Sequence, residues 1–310
     1  MNIKKIGLTA LAGALVSVSA NAADLTVTGG ASINFTGNEA VNTGNGWTMN
    51  DQVTFSASAE MDNGWTVSTM MRIDESDNTG GTSFDARSLT IDMGDTGVLT
   101  FAGSDGSGVA HPMDDTSPTA KEESWDVIPG VTAHTVGPAG GNMFNYSNSS
   151  LMDGLTVSVG YLPSSATAVE SSTDYAVKYT GIEGLTIGGG SSENNAAAAS
   201  VDGTALYATY AMDAFTIGIS TSEADSETAG ADTELTAYGI AYAVSDDLSV
   251  TYGQETIGKT GAADQEVEAL GVSYTTGGMT LAANTYESTN GGYTAANKTE
   301  KWALSASFAF

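Results

Sequence analysis

From about residue 23 onward, polar and apolar side chains alternate with a period of two in one segment after another. Leu155, Val157, Val159 and Tyr161 share one side of an extended run, and Thr156, Ser158 and Gly160 share the other. The same division separates Val53, Phe55, Ala57, Ala59 and Met61 from Thr54, Ser56, Ser58 and Glu60. It recurs with Phe215, Ile217 and Ile219, with Tyr238, Ile240, Tyr242 and Val244, and with Leu248, Val250 and Tyr252. Such alternation predicts strands with one greasy and one polar face. No comparable helical period appears after the first 22 residues.

The strands are punctuated in a regular way. Seven short turns are expected at 61–64, 94–97, 152–154, 181–184, 213–214, 245–247 and 277–278, several with the Asn-Gly, Asp-Gly or Gly-Gly pairs that tight hairpins need. Longer polar connections fall near 37–47, 75–82, 104–139, 163–170, 193–200, 223–230, 256–265 and 288–297. Seven turns and eight loops predict sixteen strands with both ends on the short-turn side. The fold expected is all-β: a transmembrane antiparallel up-and-down β-barrel of about sixteen strands, with short periplasmic turns and long external loops. Dividing 288 residues (310 minus 22) by sixteen gives 18 per strand unit, enough for a strand of about ten residues and its connection.

The first 22 residues carry Lys4 and Lys5, an uncharged run from Ile6 to Ala20, and the small-residue triplet Ala20, Asn21, Ala22. This is the pattern of a signal peptide, with the barrel expected over 23–310. No later window approaches 18 continuous apolar residues, which argues against a helical membrane protein. All 37 acids follow Ala22, whereas seven of the nine basic residues do, so the net charge of 23–310 is 7 minus 37, or −30. That charge argues against nucleic acid and anionic membrane surfaces as partners. With no cysteine, stability has to come from the sheet itself.

The final segment puts Trp302, Leu304, Ala306, Phe308 and Phe310 on one face and Ala303, Ser305, Ser307 and Ala309 on the other. A closing strand that stops on an aromatic residue resembles the signal, carried here by Phe308 and Phe310, that the barrel-assembly machinery recognises. The stretch from Leu89 to Gly103 resembles the strand-turn-strand block before the constriction loop of general diffusion porins of Gram-negative bacteria, particularly the alphaproteobacterial type. The resemblance implies a homotrimer of sixteen-stranded barrels, each with its third external loop folded into the lumen. The longest connection, 104–139, is the third. One departure stands out: family members often carry an arginine just after that block, where this chain has Ser104, which puts the usual basic row opposite the loop in doubt.

Candidate site residues follow from this frame. If loop 104–139 folds inward, Asp105, Asp114, Asp115, Glu122, Glu123 and Asp126 line the constriction with Lys121 as compensation, and such carboxylates favour cations. The plainer alternative is a solvated acidic loop. Arg72 and Lys178 fall in the lumen phase, either facing the loop or paired with a nearby acid. Arg87 falls in the outward phase, at the rim or displaced by a bulge. Trp47, Trp65, Trp302, Tyr161, Tyr210, Tyr252 and Tyr274 suit interfacial girdles, while Trp125 either anchors the long loop to the wall or packs within it.

Enzyme signatures are weak, and the chain is read as a non-enzyme. Asp95, Thr96 and Gly97 match the aspartic-protease tripeptide, but that chemistry needs two converging carboxylates and this copy fills a turn. His111 and His134 share one loop without a strand-borne carboxylate near both, so no zinc site or serine triad is assigned. No metal site and no cofactor are expected beyond weak calcium binding by loop carboxylates. The expected function is an outer-membrane channel for passive diffusion of small polar solutes and ions, with a cation preference. The alternatives are a substrate-selective channel, a non-porous surface or adhesin barrel, and a secreted soluble β-protein.

Overall fold

The structure is a computed structural model that describes residues 24–38, 46–74, 85–118, 123–165, 169–195 and 199–310. The expected signal peptide, residues 1–22, lies outside them. Five strands open the chain: β1 (Asp24–Asn38), β2 (Trp47–Glu60), β3 (Thr66–Asp74), β4 (Arg87–Asp92) and β5 (Val98–Ser104). The two-residue strands β6 (Gly106–Ser107) and β7 (Ala139–Gly140) pair with each other inside the long connection. Then come β8 (Met143–Met152), β9 (Leu155–Leu162), β10 (Ser172–Ile182), β11 (Leu185–Asn194), β12 (Val201–Met212) and β13 (Phe215–Ser226). The remaining strands are β14 (Thr233–Ala243), β15 (Leu248–Lys259), β16 (Gln265–Thr276), β17 (Met279–Thr289) and β18 (Thr299–Ala309).

Sixteen of these strands form one closed barrel in which each pairs with its sequence neighbours and β18 returns to β1. The seam ends in a reciprocal pair: Gly29 N–H donates to Phe310 O at 2.7 Å and Phe310 N–H to Gly29 O at 3.0 Å. Closure leaves no strand edge to be satisfied by water, which is what hydrocarbon demands of a sheet. All seven short turns fall between the expected strand pairs. The turn at Met152–Leu155 shows why its sequence is fixed: Gly154 has φ +74°, and a Cβ there would come 2.4 Å from Gly181 N.

The alternation reads out as two faces. Leu206, Ile217, Ile219, Tyr238, Leu270 and Val272 stand exposed on the outside, Leu206 to 62%. Trp47, Trp65, Trp302, Tyr161, Tyr210 and Tyr274 are exposed on the same side. A continuous apolar exterior of this kind is the lipid-facing band of a barrel. Among the described residues no helix is long and apolar enough to cross a membrane; the crossing elements are strands.

The strand bounds depart furthest from the sequence reading at two loops. Strands β13 and β15 run on to Ser226 and Lys259, into the stretches 223–230 and 256–265 read as loop. Ladder pairing there continues past the apolar band, as in Glu223 opposite Glu234 and Thr256 opposite Glu266. Arg87 sits at a bulge, since Arg87 pairs with Ser104 and Ser88 with Ala102.

Candidate functional site

The described residues between β5 and β8 lie along the inner face of the barrel. It leaves β5 through Asp105, whose φ is +49°, and its two limbs are tied by the β6–β7 pairing and by Gly108 N–H donating to Pro138 O at 2.8 Å. Each later section meets a strand residue of the phase opposite the exposed apolar row. Ala110 N–H donates to the buried Asp174 of β10 at 2.7 Å. Ala110, Met113 and Val136 pack with Ala176 and Ala205. Ser117 Oγ donates to Ala237 O at 3.4 Å.

Farther along, the N–H groups of Ser124 and Trp125 donate to the two oxygens of Glu255, both at 3.0 Å. Glu255 is only 2% exposed, so the turn Ser124–Val127 caps a carboxylate withdrawn from water. Trp125 and Ile128 then fill a cluster with Leu235, Ile257, Val267, Ala269 and Tyr286. Trp125 thus anchors the segment to the wall. Lys301 Nζ donates to Val127 O at 2.6 Å. Buried His134 places Nδ1 2.9 Å from Thr233 Oγ1 and Nε2 2.8 Å from Ser222 Oγ. Burial lowers its pKa from 6.5 to about 4, so the ring is neutral, donating through one nitrogen and accepting through the other.

The wall is shaped to receive the segment. Gly218 and Gly239 face each other across β13 and β14, and Pro118 sits in the notch they leave. A Cβ on Gly239 would lie 1.6 Å from Pro118 O, and one on Gly218 2.5 Å from Pro118 Cδ. Glycine here permits close backbone approach.

The basic residue Arg72 is engaged by acids. Its Nη2 bonds Asp105 at 2.6 Å and also Asp85, its Nε donates to Asp85 at 2.7 Å, and Asp74 lies 3.9 Å away. Arg72 is thus paired with neighbouring acids, one of which, Asp105, belongs to the long connection. Lys178 occupies the inward phase of β10, between Thr156 and Gly188, and no ion pair engages it among the described residues. Asp126 is exposed and Glu123 half-buried. Asp114 and Asp115 lie in the turn His111–Thr116 with side chains outside the described set, and Glu122 lies outside the described residues altogether. Toward the middle and external side the inner faces of β1 and β2 carry the neutral groups Ser32, Asn34, Asn50, Gln52 and Thr54, with Asn34 Nδ2 3.3 Å from Asn50 Oδ1, while Glu60 ends the same phase of β2 at the short-turn side. Among the described residues no group of three or more His, Asp or Glu side chains is arranged to hold a metal ion.

Glu255, Gln265, His134, Asp174 and Lys301, which fix the segment, were not singled out by sequence reasoning for that role. A signal for them exists. Near the external ends of β14, β15 and β16 the greasy phase switches sides: Leu235, Ile257 and Val267 point in and are buried, while Glu234, Thr256 and Glu266 point out.

A closed sixteen-stranded sheet, apolar outside and polar inside, with a chain segment held against its inner wall, defines an outer-membrane channel barrel. Solved structures of the same architecture agree. The structure resembles a porin of Rh. blastica in mutant form (TM-score 0.71, 14% identity, 93% of this chain and 100% of that one). It also resembles Salmonella typhi OmpF in complex with daunomycin (0.70, 13%, 92% and 97%) and the anion-selective porin of Comamonas acidovorans (0.67, 13%, 93% and 100%). No curated protein matches by sequence. The family model described as Gram-negative porin matches residues 7–310, and the chain belongs to that family. It is an outer-membrane protein.

Proposed function

We propose that this porin is a passive channel for small hydrophilic solutes and ions, narrowed by residues 104–139 and selective for cations. The observation that carries the reading is the charge balance around that segment. Its six acids, Asp105, Asp114, Asp115, Glu122, Glu123 and Asp126, face one lysine of its own, Lys121. The one arginine that reaches it, Arg72, already serves Asp74, Asp85 and Asp105. The opposing wall of β1 and β2 offers mainly amides and hydroxyls, and against the six acids stand, besides Lys121, Arg72, Lys301 on Val127 O and the inward-phase Lys178, so the passage carries more negative than positive charge. Carboxylates in that position raise the local concentration of cations. The Comamonas acidovorans porin is anion-selective on the same fold, so the sign of the preference lies with side chains rather than with architecture.

Family membership supports assembly as a homotrimer, checked by the size of the unboiled, detergent-extracted protein. Phe308 and Phe310 are proposed as the assembly signal. The deciding experiment is planar-bilayer recording in a salt gradient. Stepwise conductance with a cation-selective reversal potential is expected; absence of steps overturns the channel, and an anion-selective potential overturns the assignment of the acidic segment.

A further inference from the structure

The last external connection, residues 290–298 between β17 and β18, meets the far limb of the lumen segment through three separate contacts. Gln265, fully buried at the external start of β16, accepts N–H bonds from Thr132 at 2.8 Å and from Gly292 at 2.7 Å on the same Oε1, and its Nε2 donates to Thr132 O at 3.2 Å. Tyr293 packs on the cluster that holds Trp125 and Ile128, and Lys259 Nζ lies 5.3 Å from its ring centre. Gly291 approaches Gly130 so closely that a Cβ on it would stand 3.1 Å from Gly130 O and 3.3 Å from Asn297 Nδ2.

The connection is itself held tightly. Asn290 Oδ1 accepts from Ala296 N–H at 2.9 Å, and Asn297 Nδ2 donates to Gly291 O at 2.7 Å. Asn290, Tyr293 and Ala296 have φ of 58°, 58° and 62°; the other described non-glycine residues with positive φ are Asp105, Asn142 and Asp213, scattered along the chain. Left-handed Tyr and Ala persist only where the surroundings hold them. Strain concentrated in one connection, at the point where it touches the lumen segment, marks that contact as more than surface packing.

We propose that residues 290–298 act as a strap on the outer side of the lumen segment, and that Gln265 is the positioning residue through which the strap fixes residues 130–132 and hence the width of the passage. The proposal rests on reading residues 104–139 as the constriction. Gln265 is suited to the task because its single carboxamide oxygen has two lone pairs and spends one on each chain. Removing it takes the shared acceptor from two part-buried N–H groups, one on each chain, and so cuts the link between strap and limb.

The test uses the full-length protein in planar bilayers, as Gln265→Ala, as Gly291→Val and as the double variant. Gly291→Val wedges the strap away from Gly130 and leaves the barrel wall intact, so it answers the question even if Gln265→Ala fails to fold. Each single variant should raise the time spent in sub-conductance states by about 5- to 30-fold, equivalent to about 1–2 kcal/mol. Because each variant frees the same limb, residues 130–132, from the strap, the double variant should do no more than the stronger single one. Unchanged traces in both single variants, or effects that multiply in the double, overturn the strap while leaving the channel standing. A silent wild type overturns the channel and the strap together.

Discussion

Replacing Gly239 by alanine adds one methyl group to the inner wall at the place where the lumen segment lies closest. The added carbon would stand 1.6 Å from Pro118 O, whereas ordinary contact begins at 3.4 Å. The carbonyl belongs to backbone and cannot rotate away like the end of a side chain. Pro118 must therefore retreat by about 1.8 Å, and with the sheet behind Gly239 the free direction is into the lumen. Two energies compete. An alanine in a strand gains about 0.5–1 kcal/mol over glycine, while overpacking a filled site costs about 1–3 kcal/mol, so the barrel loses little stability and the passage narrows. Single-channel conductance should fall for Gly239→Ala. It should fall less for Gly218→Ala, where the nearest atom is Pro118 Cδ at 2.5 Å, and stay at the wild-type value for Gly258→Ala, whose nearest neighbour is 3.5 Å away. Equal conductance for Gly239→Ala and Gly258→Ala would refute the notch as a seat for the segment.

Three other perturbations probe the same site. Glu255→Ala strands the N–H groups of Ser124 and Trp125, at about 1–3 kcal/mol each; faster proteolysis of residues 123–130 in the folded barrel is the expected readout, with Glu255→Gln intermediate. His134 has a folded pKa near 4 against 6.5 when exposed, so its contribution is complete above pH 6.5 and lost as pH falls toward 4, reaching about 3 kcal/mol. Acid-induced channel noise should accordingly grow between pH 6.5 and 4 in the wild type and flatten in His134→Gln. Asp126→Asn removes one charge of the proposed constriction, worth about 0.5–1 kcal/mol to a cation passing within 4–8 Å in water. The cation-to-anion ratio from the reversal potential should drop by about two- to five-fold at low salt, and by less at 1 M, where the Debye length is about 3 Å.

The barrel was legible in the sequence because a lipid-facing strand obeys a rule that each residue carries locally. Leu155, Val157, Val159 and Tyr161 declare their side without knowledge of any other strand, and the Asp-Gly or Gly-Gly pairs between strands declare the turns. The lumen segment was legible only as a length and a charge. Its anchors obey no local rule: Glu255 is bound by residues about 130 positions earlier, and Gln265 by Thr132, 133 positions away. Gly218 and Gly239 look like ordinary small residues of a polar phase until Pro118 is placed over them. The phase switch at Leu235, Ile257 and Val267 was present in the sequence. It means that water and protein have exchanged places across the wall, and that is intelligible only once something is known to fill the inside.

The seam between β1 and β18 carries a consequence for biogenesis. Gly30 pairs with Ala309, so the bond that completes the cylinder joins residues nearly a whole chain apart, and by loop-closure scaling that encounter costs about 5 kcal/mol of entropy before any seam contact offsets it. Neighbouring hairpins can zip early, yet until the last strand arrives the growing sheet has two unpaired edges, each a template for pairing with another chain. A nascent porin is therefore an open ribbon with two adhesive borders, and its yield in the cell depends on how well those borders are shielded until they find each other.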